Sequence, residues 1–167
     1  PTTDTALVYP GMCLLEGTKL SEGRGTTRPF ETFGAPYLNG PALAGVLNEF
    51  SLPGVYFRPV TFQPTFQKFA GEICEGCFLH VTDAQNFKPV LTAVAILREC
   101  ARSPKFAWQD PPYEYEYEKL PIEILTGGKW LPEAIEDGLD LFEIEARLDA
   151  DVQAFAPIRQ AALLYAV

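Results

Sequence analysis

The sequence contains little of what metal sites and histidine chemistry require. His80 is its one histidine, and Cys74 and Cys77 are its one closely spaced cysteine pair. A structural zinc site usually takes four ligands. Because this set supplies fewer, we expect no metal and no cofactor, and instead buried thiols or a redox-sensitive pair. His80 lies in an apolar, strand-like run, which favours a histidine satisfied inside the core over a catalytic one.

The sequence also lacks a long apolar run and a basic region. No stretch approaches the ~20 apolar residues that a membrane span needs. Residues 106–167 hold four basic and thirteen acidic side chains, whereas residues 1–105 hold nine of each. Nucleic acid and anionic membranes require a basic surface, so both are excluded as main partners. The first residues have neither the basic nor the apolar region of a signal peptide.

What is present indicates one folded domain. The chain has 167 residues, of which 47% are hydrophobic and 13% aromatic, enough for a core of its own. Short strand patterns alternate with helical ones, which predicts an α/β class, with α+β as the alternative. We expect a single compact domain with a small mixed sheet, flanking helices and long irregular loops.

Hydrophobic periodicity and turn residues place the elements. Pro59 assigns its strand to an edge or a bulge, and Pro157 predicts a kink or restart in the last helix. The irregular stretch 103–119 includes alternating tyrosine and glutamate at 113–118, which could form a strand with one aromatic and one acidic face. A charge-guarded edge strand is favoured for Glu116 and Glu118, whereas Tyr113 and Glu114 are left open because they follow a Pro-Pro turn. The predicted strands are residues 5–9, 55–62 and 78–81, and the predicted helices are residues 41–50, 89–100, 129–137 and a last one from 141.

Residues 16–30 form the most informative segment. The run is non-periodic and combines two glutamates, two arginines, three threonines and three glycines. Glycine permits close approach to a ligand, and arginine offers a planar fork of donors. Apolar residues on both sides, such as Leu15 and Phe33, predict that the segment is pinned to the core. We therefore interpret it as a polar binding loop, with a solvated surface turn as the alternative.

Six segments carry a resemblance to one family, and residues 21–30, Ser-Glu-Gly-Arg-Gly-Thr-Thr-Arg-Pro-Phe, are the most specific of them. The chain resembles the C-terminal domain of the NamZ-like (YbbC-like) bacterial exo-β-N-acetylmuramidases, formerly a domain of unknown function. Cys77 departs from the family pattern, so the cysteine pair is not carried over as a family feature. The segments are residues 7–16, 20–31, 34–36, 57–59, 80–83 and 112–116.

The resemblance implies that residues 1–167 are the C-terminal, substrate-shaping part of a longer protein. Its relatives begin with a Rossmann-like half whose Gly-Pro-Glu-His-Gly motif supplies the catalytic acid, and this motif is absent here. The resemblance implies a cleft between the halves, where terminal N-acetylmuramic acid is released from peptidoglycan fragments. It also implies a location in the bacterial cell envelope, periplasmic or secreted, with the cytoplasm left open.

The implied substrate suggests roles for the polar residues. N-acetylmuramic acid carries a carboxylate, which a fixed cation would recognise. We expect one of Arg24 and Arg28 to bind it and the other to be tied to an internal glutamate. Glu22 is either the second carboxyl group of the hydrolysis or, preferably, a residue that orients Arg24. The expected substrate-binding residues are Glu16, Glu22, Arg24, Thr26, Thr27, Arg28, Arg58, Tyr113 and Glu114.

Three functions remain open at the level of sequence. In the first, the chain is half of a glycosidase and is inactive alone, with the preceding half as partner. In the second, it is a module that binds a sugar or muropeptide without chemistry. In the third, it is a structural domain whose polar loop packs against the rest of the protein.

Overall fold

The computed structural model describes residues 2–165 and combines helices with one small sheet. A 3-10 turn, Cys13–Gly17, follows the first helix directly. Three strands and six α-helices are found in the described part of the chain. In order they are α1 (Thr3–Met12), β1 (Thr32–Ala35), α2 (Gly40–Glu49), β2 (Val55–Phe62), β3 (Cys74–Val81), α3 (Pro89–Ala101), α4 (Pro121–Leu125), α5 (Trp130–Glu136) and α6 (Leu141–Ala162).

The sheet is antiparallel, with β3 between β1 and β2. Thr32 pairs with Phe78 across β1 and β3, while Val55 pairs with Val81 and Phe62 with Cys74 across β2 and β3. The predicted mixture of helices and a small sheet in one domain is confirmed. The sheet itself is antiparallel throughout rather than mixed, since adjacent strands are joined without parallel crossovers. Pro59 lies on the edge strand β2, as predicted.

Helix α3 is the centre of the core. Helices α1, α2 and α5 pack against it. Its buried side chains lie on several of its sides and include Leu91, Val94, Ile96 and Leu97. Helix α3 is hydrophobic on almost all of its faces, which is the pattern of a helix surrounded by other elements. Pro89 begins the helix, a position where a missing N–H costs nothing. The sheet covers α2 and completes the core.

Residues 5–9 were predicted as a strand, and this is wrong, because they belong to α1. The Thr2 hydroxyl accepts a hydrogen bond from the Thr5 amide and caps the helix. The buried residues Thr5, Val8 and Met12 recur every three or four positions, which is helical spacing. Five residues are too few to distinguish this period from strand alternation. Packing on α3 decides the outcome.

Two more predictions need correction. Residues 113–118 form no strand, because Tyr113 and Glu116 exchange backbone hydrogen bonds of 2.9 and 3.0 Å in a tight turn. Helix α6 runs as one element through Pro157 to Ala162, so the predicted restart is wrong. The helices α2, α3 and α5 and the strand β2 agree with the prediction to within a residue or two. Strand β1, helix α4 and the first half of β3 were not predicted.

The contact between α1 and α3 generates a test. A Cβ atom at Gly11 would lie 1.9 Å from the Pro89 carbonyl oxygen, whereas one at Gly45, on the exposed side of α2, would meet nothing within 4 Å. Gly11→Ala should therefore lower the free energy of unfolding by about 1–3 kcal/mol. Gly45→Ala should raise it by about 0.5–1 kcal/mol. Urea denaturation measures both, and equal effects of the two variants would contradict the described helix packing.

Candidate functional site

Four charged side chains and one tyrosine form the Glu22 cluster: Glu16, Glu22, Arg24, Lys68 and Tyr113. Arg24 Nε lies 3.1 Å from Glu22 Oε1, and its Nη2 lies 2.9 Å from Glu16 Oε1. Lys68 Nζ binds Glu22 Oε2 at 2.9 Å. The Tyr113 hydroxyl donates to Glu16 Oε2 at 3.1 Å. Every carboxylate oxygen of the cluster therefore accepts a hydrogen bond.

The charges of the Glu22 cluster balance each other. The Glu22 side chain is 3% exposed, and an ionised carboxylate at such a depth requires paired charges. Burial by itself would lower the pKa of Arg24, but the hydrogen bonds and charges of Glu16 and Glu22 raise it. Burial and the Glu16 carboxylate raise the pKa of Tyr113 to about 12. Tyr113 therefore stays protonated at neutral pH and remains a hydrogen-bond donor.

Backbone turns position the loop of residues 16–30. Gly23 and Gly25 have φ angles of +73° and +83°, which other residues rarely adopt. The Phe30 amide donates to the Glu22 carbonyl at 2.7 Å, and the Thr26 hydroxyl donates to the Gly23 carbonyl at 2.6 Å. Apolar residues beside and within the loop, including Leu15, are buried. The prediction of a loop pinned to the core is confirmed.

A second group, the Glu31 cluster, holds the end of the loop to α1. It consists of Glu31, Arg28, Asp4 and Thr5. Arg28 Nε lies 3.0 Å from both Glu31 oxygens, and its Nη2 lies 2.9 Å from Asp4 Oδ2. The Thr5 hydroxyl donates to Glu31 Oε1 at 2.6 Å. Burial would raise the pKa of Glu31, but the hydrogen bonds from Arg28 and Thr5 outweigh this and lower it.

Both arginines of the loop are thus tied to internal acids. The expectation that only one would be paired is wrong, because each arginine lies beside a carboxylate buried too deeply to remain unpaired. Each still has an Nη1 atom without a hydrogen bond among the residues described. Arg24 also lies over the Phe30 ring, 5.0 Å from its centroid. The free edge of each guanidinium is therefore what a ligand could still contact.

Five of the nine predicted site residues lie in the two clusters, and four do not. Glu16, Glu22, Arg24 and Tyr113 come together, as expected. Arg58 does not join them: its Nε donates to His80 Nε2 at 3.2 Å, and its guanidinium lies over Phe78 at 5.3 Å. Arg28 lies over the same ring at 5.7 Å. His80 is only partly buried and faces Arg58, so its prediction as a satisfied core histidine is wrong.

The remaining three predicted residues make no hydrogen bond to a side chain of either cluster. Thr26 closes the loop through its own backbone contact, and its hydroxyl also accepts from the Arg28 amide at 3.3 Å. Thr27 and Glu114 are exposed, and their side chains make no hydrogen bond within residues 2–165. Lys68 was missed. It lies in the connection between β2 and β3, and no local pattern marks it, since only folding brings it to Glu22.

The cysteines of the CxxC pair lie in β3. Residues three apart in a strand point to opposite faces, so Cys74 and Cys77 cannot share a ligand position. Cys77 Sγ lies 3.9 Å from the Gly40 carbonyl oxygen. Burial raises the pKa of Cys74 to about 11 and that of Cys77 to about 12. The prediction of buried thiols is confirmed, and residues 2–165 contain no group of three or more potential metal ligands.

Comparison with known proteins decides the family. The model for the C-terminal region of the exo-beta-N-acetylmuramidase NamZ matches residues 7–165. The chain belongs to this family. It is 37% identical over 166 residues to a Bacillus subtilis protein named peptidoglycan beta-N-acetylmuramidase NamZ. This comparison covers 99% of the chain and only 38% of the NamZ protein, so the chain matches a part of its relative.

Solved structures confirm the fold. Two DUF1343 family proteins from Bacteroides fragilis superimpose on the chain with TM-scores of 0.80 and 0.68, each at 24% identity. The two comparisons cover 96% and 99% of the chain, and 42% of each neighbour. The resemblance stated from the sequence motifs is confirmed at the level of the family.

The Glu31 cluster predicts a pH dependence. Because the pKa of Glu31 is lowered in the folded state from the ordinary value of 4.5, its stabilising effect is complete above that pH and is lost as the pH falls further. Glu31→Gln should lower the free energy of unfolding at pH 7 by about 1.5–3 kcal/mol. The difference from the wild type should shrink below pH 4.5.

Urea denaturation from pH 7 to pH 3 tests this prediction. Glu118→Gln removes the same charge from an exposed side chain in the irregular stretch and should change stability little at any pH. A Glu31→Gln deficit that stays constant down to pH 3 would contradict the lowered pKa.

Proposed function

We propose that the chain forms the substrate-binding side of a cleft in a longer glycosidase that releases terminal N-acetylmuramic acid from peptidoglycan fragments. The family of the chain supports this proposal, as does the name of its Bacillus subtilis relative. The longer protein would act in the bacterial cell envelope, where peptidoglycan lies. No helix within residues 2–165 could span a membrane.

The observation that carries the proposal is the pairing within the Glu22 cluster. Its charges are neutralised and fixed before any ligand binds, which is the preorganisation that a recognition site requires. Arg24 and Tyr113 form its more accessible edge, where the guanidinium and the aromatic ring can contact a sugar. Glu16 fixes both, because each of its oxygens accepts from one of them.

Glu22 serves as an orienting residue in this proposal. Both of its oxygens already accept hydrogen bonds from cations, which leaves no free edge for a glycosidic oxygen. It therefore holds Arg24 and Lys68 in place, and the catalytic acid belongs to the preceding half of the longer protein, as the resemblance implies. The isolated chain should then be inactive.

The internal pairing of Arg24 and Arg28 favours a second candidate function. A loop whose cations are all satisfied can also serve as a rigid surface that packs against the preceding half without touching sugar. In that case loss of an arginine would change stability or association and leave sugar selectivity unchanged. A sugar-binding module without chemistry is the remaining alternative.

Kinetics of the longer protein test the proposal. Glu22→Gln keeps the shape of the side chain but loosens Arg24 and Lys68, so kcat/KM for an aryl β-N-acetylmuraminide should fall about 100-fold. Selectivity over the matching N-acetylglucosaminide should fall as well. Glu118→Gln is the matched control and should leave both values unchanged.

Three outcomes separate the candidates. Hydrolysis by residues 1–167 alone would overturn the assignment of the catalytic acid to the preceding half. Unchanged kinetics in a Glu22→Gln protein with lowered stability would favour the structural role. Binding of N-acetylmuramic acid without any hydrolysis by the longer protein would favour the binding module.

A further inference from the structure

A cavity lies outside both clusters, between the end of α3, the segment 106–108 and α5. Its volume is about 400 Å³. None of the site residues predicted from the sequence lines it. Its chemically distinctive lining residues are Arg98, Arg102, Phe106, Trp108 and Glu136, and we name it the Arg98 cavity.

Arg98 is the unusual residue of this cavity. Its guanidinium makes no hydrogen bond or salt bridge within residues 2–165, and its Nε atom is buried without any partner. One turn further along α3, Arg102 is paired with Glu99 at 3.1 Å. A buried donor without an acceptor costs about 1–3 kcal/mol, and such groups are rare in folded proteins. An anion that enters the cavity would supply the missing negative charge.

The lining of the cavity also includes two aromatic rings and a hydrogen-bond acceptor. Phe106 and Trp108 meet edge to face with ring centroids 5.0 Å apart. The Trp108 indole N–H donates to Glu136 Oε1 at 2.5 Å, which fixes the ring. Glu136 Oε2 accepts no hydrogen bond from the described residues, so it can accept one from a ligand hydroxyl. The aromatic pair can cover an apolar face of the same ligand.

These three features define a class of ligand. A carboxylate matches the guanidinium fork of Arg98, hydroxyl groups match Glu136, and an apolar face matches Trp108. A more highly charged anion such as phosphate is disfavoured, because the Glu136 carboxylate lines the same cavity. We propose that the Arg98 cavity binds a hydroxylated carboxylate with an apolar face, the class that includes acidic sugars.

The cavity is also linked to the loop of the candidate site. The Lys19 amide donates to the Ala107 carbonyl, and the Gln109 amide donates to the Gly17 carbonyl, both at 2.9 Å. The segment that carries Trp108 is therefore hydrogen-bonded to the start of residues 16–30. The proposal concerns binding by this chain and does not depend on glycosidase activity of the longer protein.

The indole N–H resonance of Trp108 provides a direct readout. The chain contains two tryptophans, and a Trp130→Phe variant assigns their two resonances in a ¹⁵N–¹H spectrum. N-acetylmuramic acid, added up to about 10 mM so that a complex of millimolar affinity is populated, should shift the Trp108 resonance. N-acetylglucosamine, which has no carboxylate, should bind at least about tenfold more weakly.

Arg98→Met tests the residue itself. The change removes the charge and an unpaired buried donor, so the variant should be at least as stable as the wild type toward urea. It should weaken the binding of N-acetylmuramic acid at least tenfold. Arg159→Met removes the same charge from an exposed position on α6 and should leave binding unchanged.

Four results would overturn the proposal. The first is an unmoved Trp108 resonance at saturating ligand, and the second is an equal shift with N-acetylglucosamine. The third is binding that survives Arg98→Met and is lost in Arg24→Met, which would place recognition at the Glu22 cluster and favour the proposed function instead. The fourth is loss of stability in Arg98→Met, which would show that Arg98 acts structurally.

Discussion

Burial of two carboxylates, Glu22 and Glu31, constrains the loop of residues 16–30 and everything that depends on it. Each side chain is 3% exposed, so each must be surrounded by donors and cations to remain ionised. Glu22 thereby fixes Arg24 and brings in Lys68 from the connection between β2 and β3. Glu31 fixes Arg28 and joins the loop to α1. The loop is consequently a rigid, charge-balanced surface.

This constraint changes what the arginines can do. A cation that is already paired offers a ligand a fixed hydrogen-bond donor more than a net charge. Ligand recognition by Arg24 would therefore rest on its free guanidinium edge and on Tyr113 beside it. Arg98 differs, because its guanidinium has no partner among the residues described and its Nε atom is buried. The two arginines would therefore represent two physical modes of anion recognition in one acidic domain. The segment 107–109 beside the Arg98 cavity is hydrogen-bonded directly to residues 17–19, at the start of the loop that carries Arg24.

The sequence predicted elements well where one pattern dominates. Residues 55–62 combine β-branched and aromatic side chains and form β2, and the proline at the start of α3 marks its first turn. The strand prediction for residues 5–9 failed because their hydrophobic period is ambiguous over so short a run. Packing against α3 decides that they form a helix. Within the site, Glu16, Glu22, Arg24 and Tyr113 were predicted together. Lys68 was not, since its role depends on a contact across 46 residues of chain.

The measurement that tests the central claim most directly is a double-mutant cycle between Glu22 and Lys68. Free energies of unfolding are compared for the wild type, Glu22→Gln, Lys68→Met and the double variant. A buried pair on which the loop depends predicts that the losses are not additive, with a coupling energy of at least about 1 kcal/mol. Losses that add to within about 0.5 kcal/mol would show that the pair does not hold the loop.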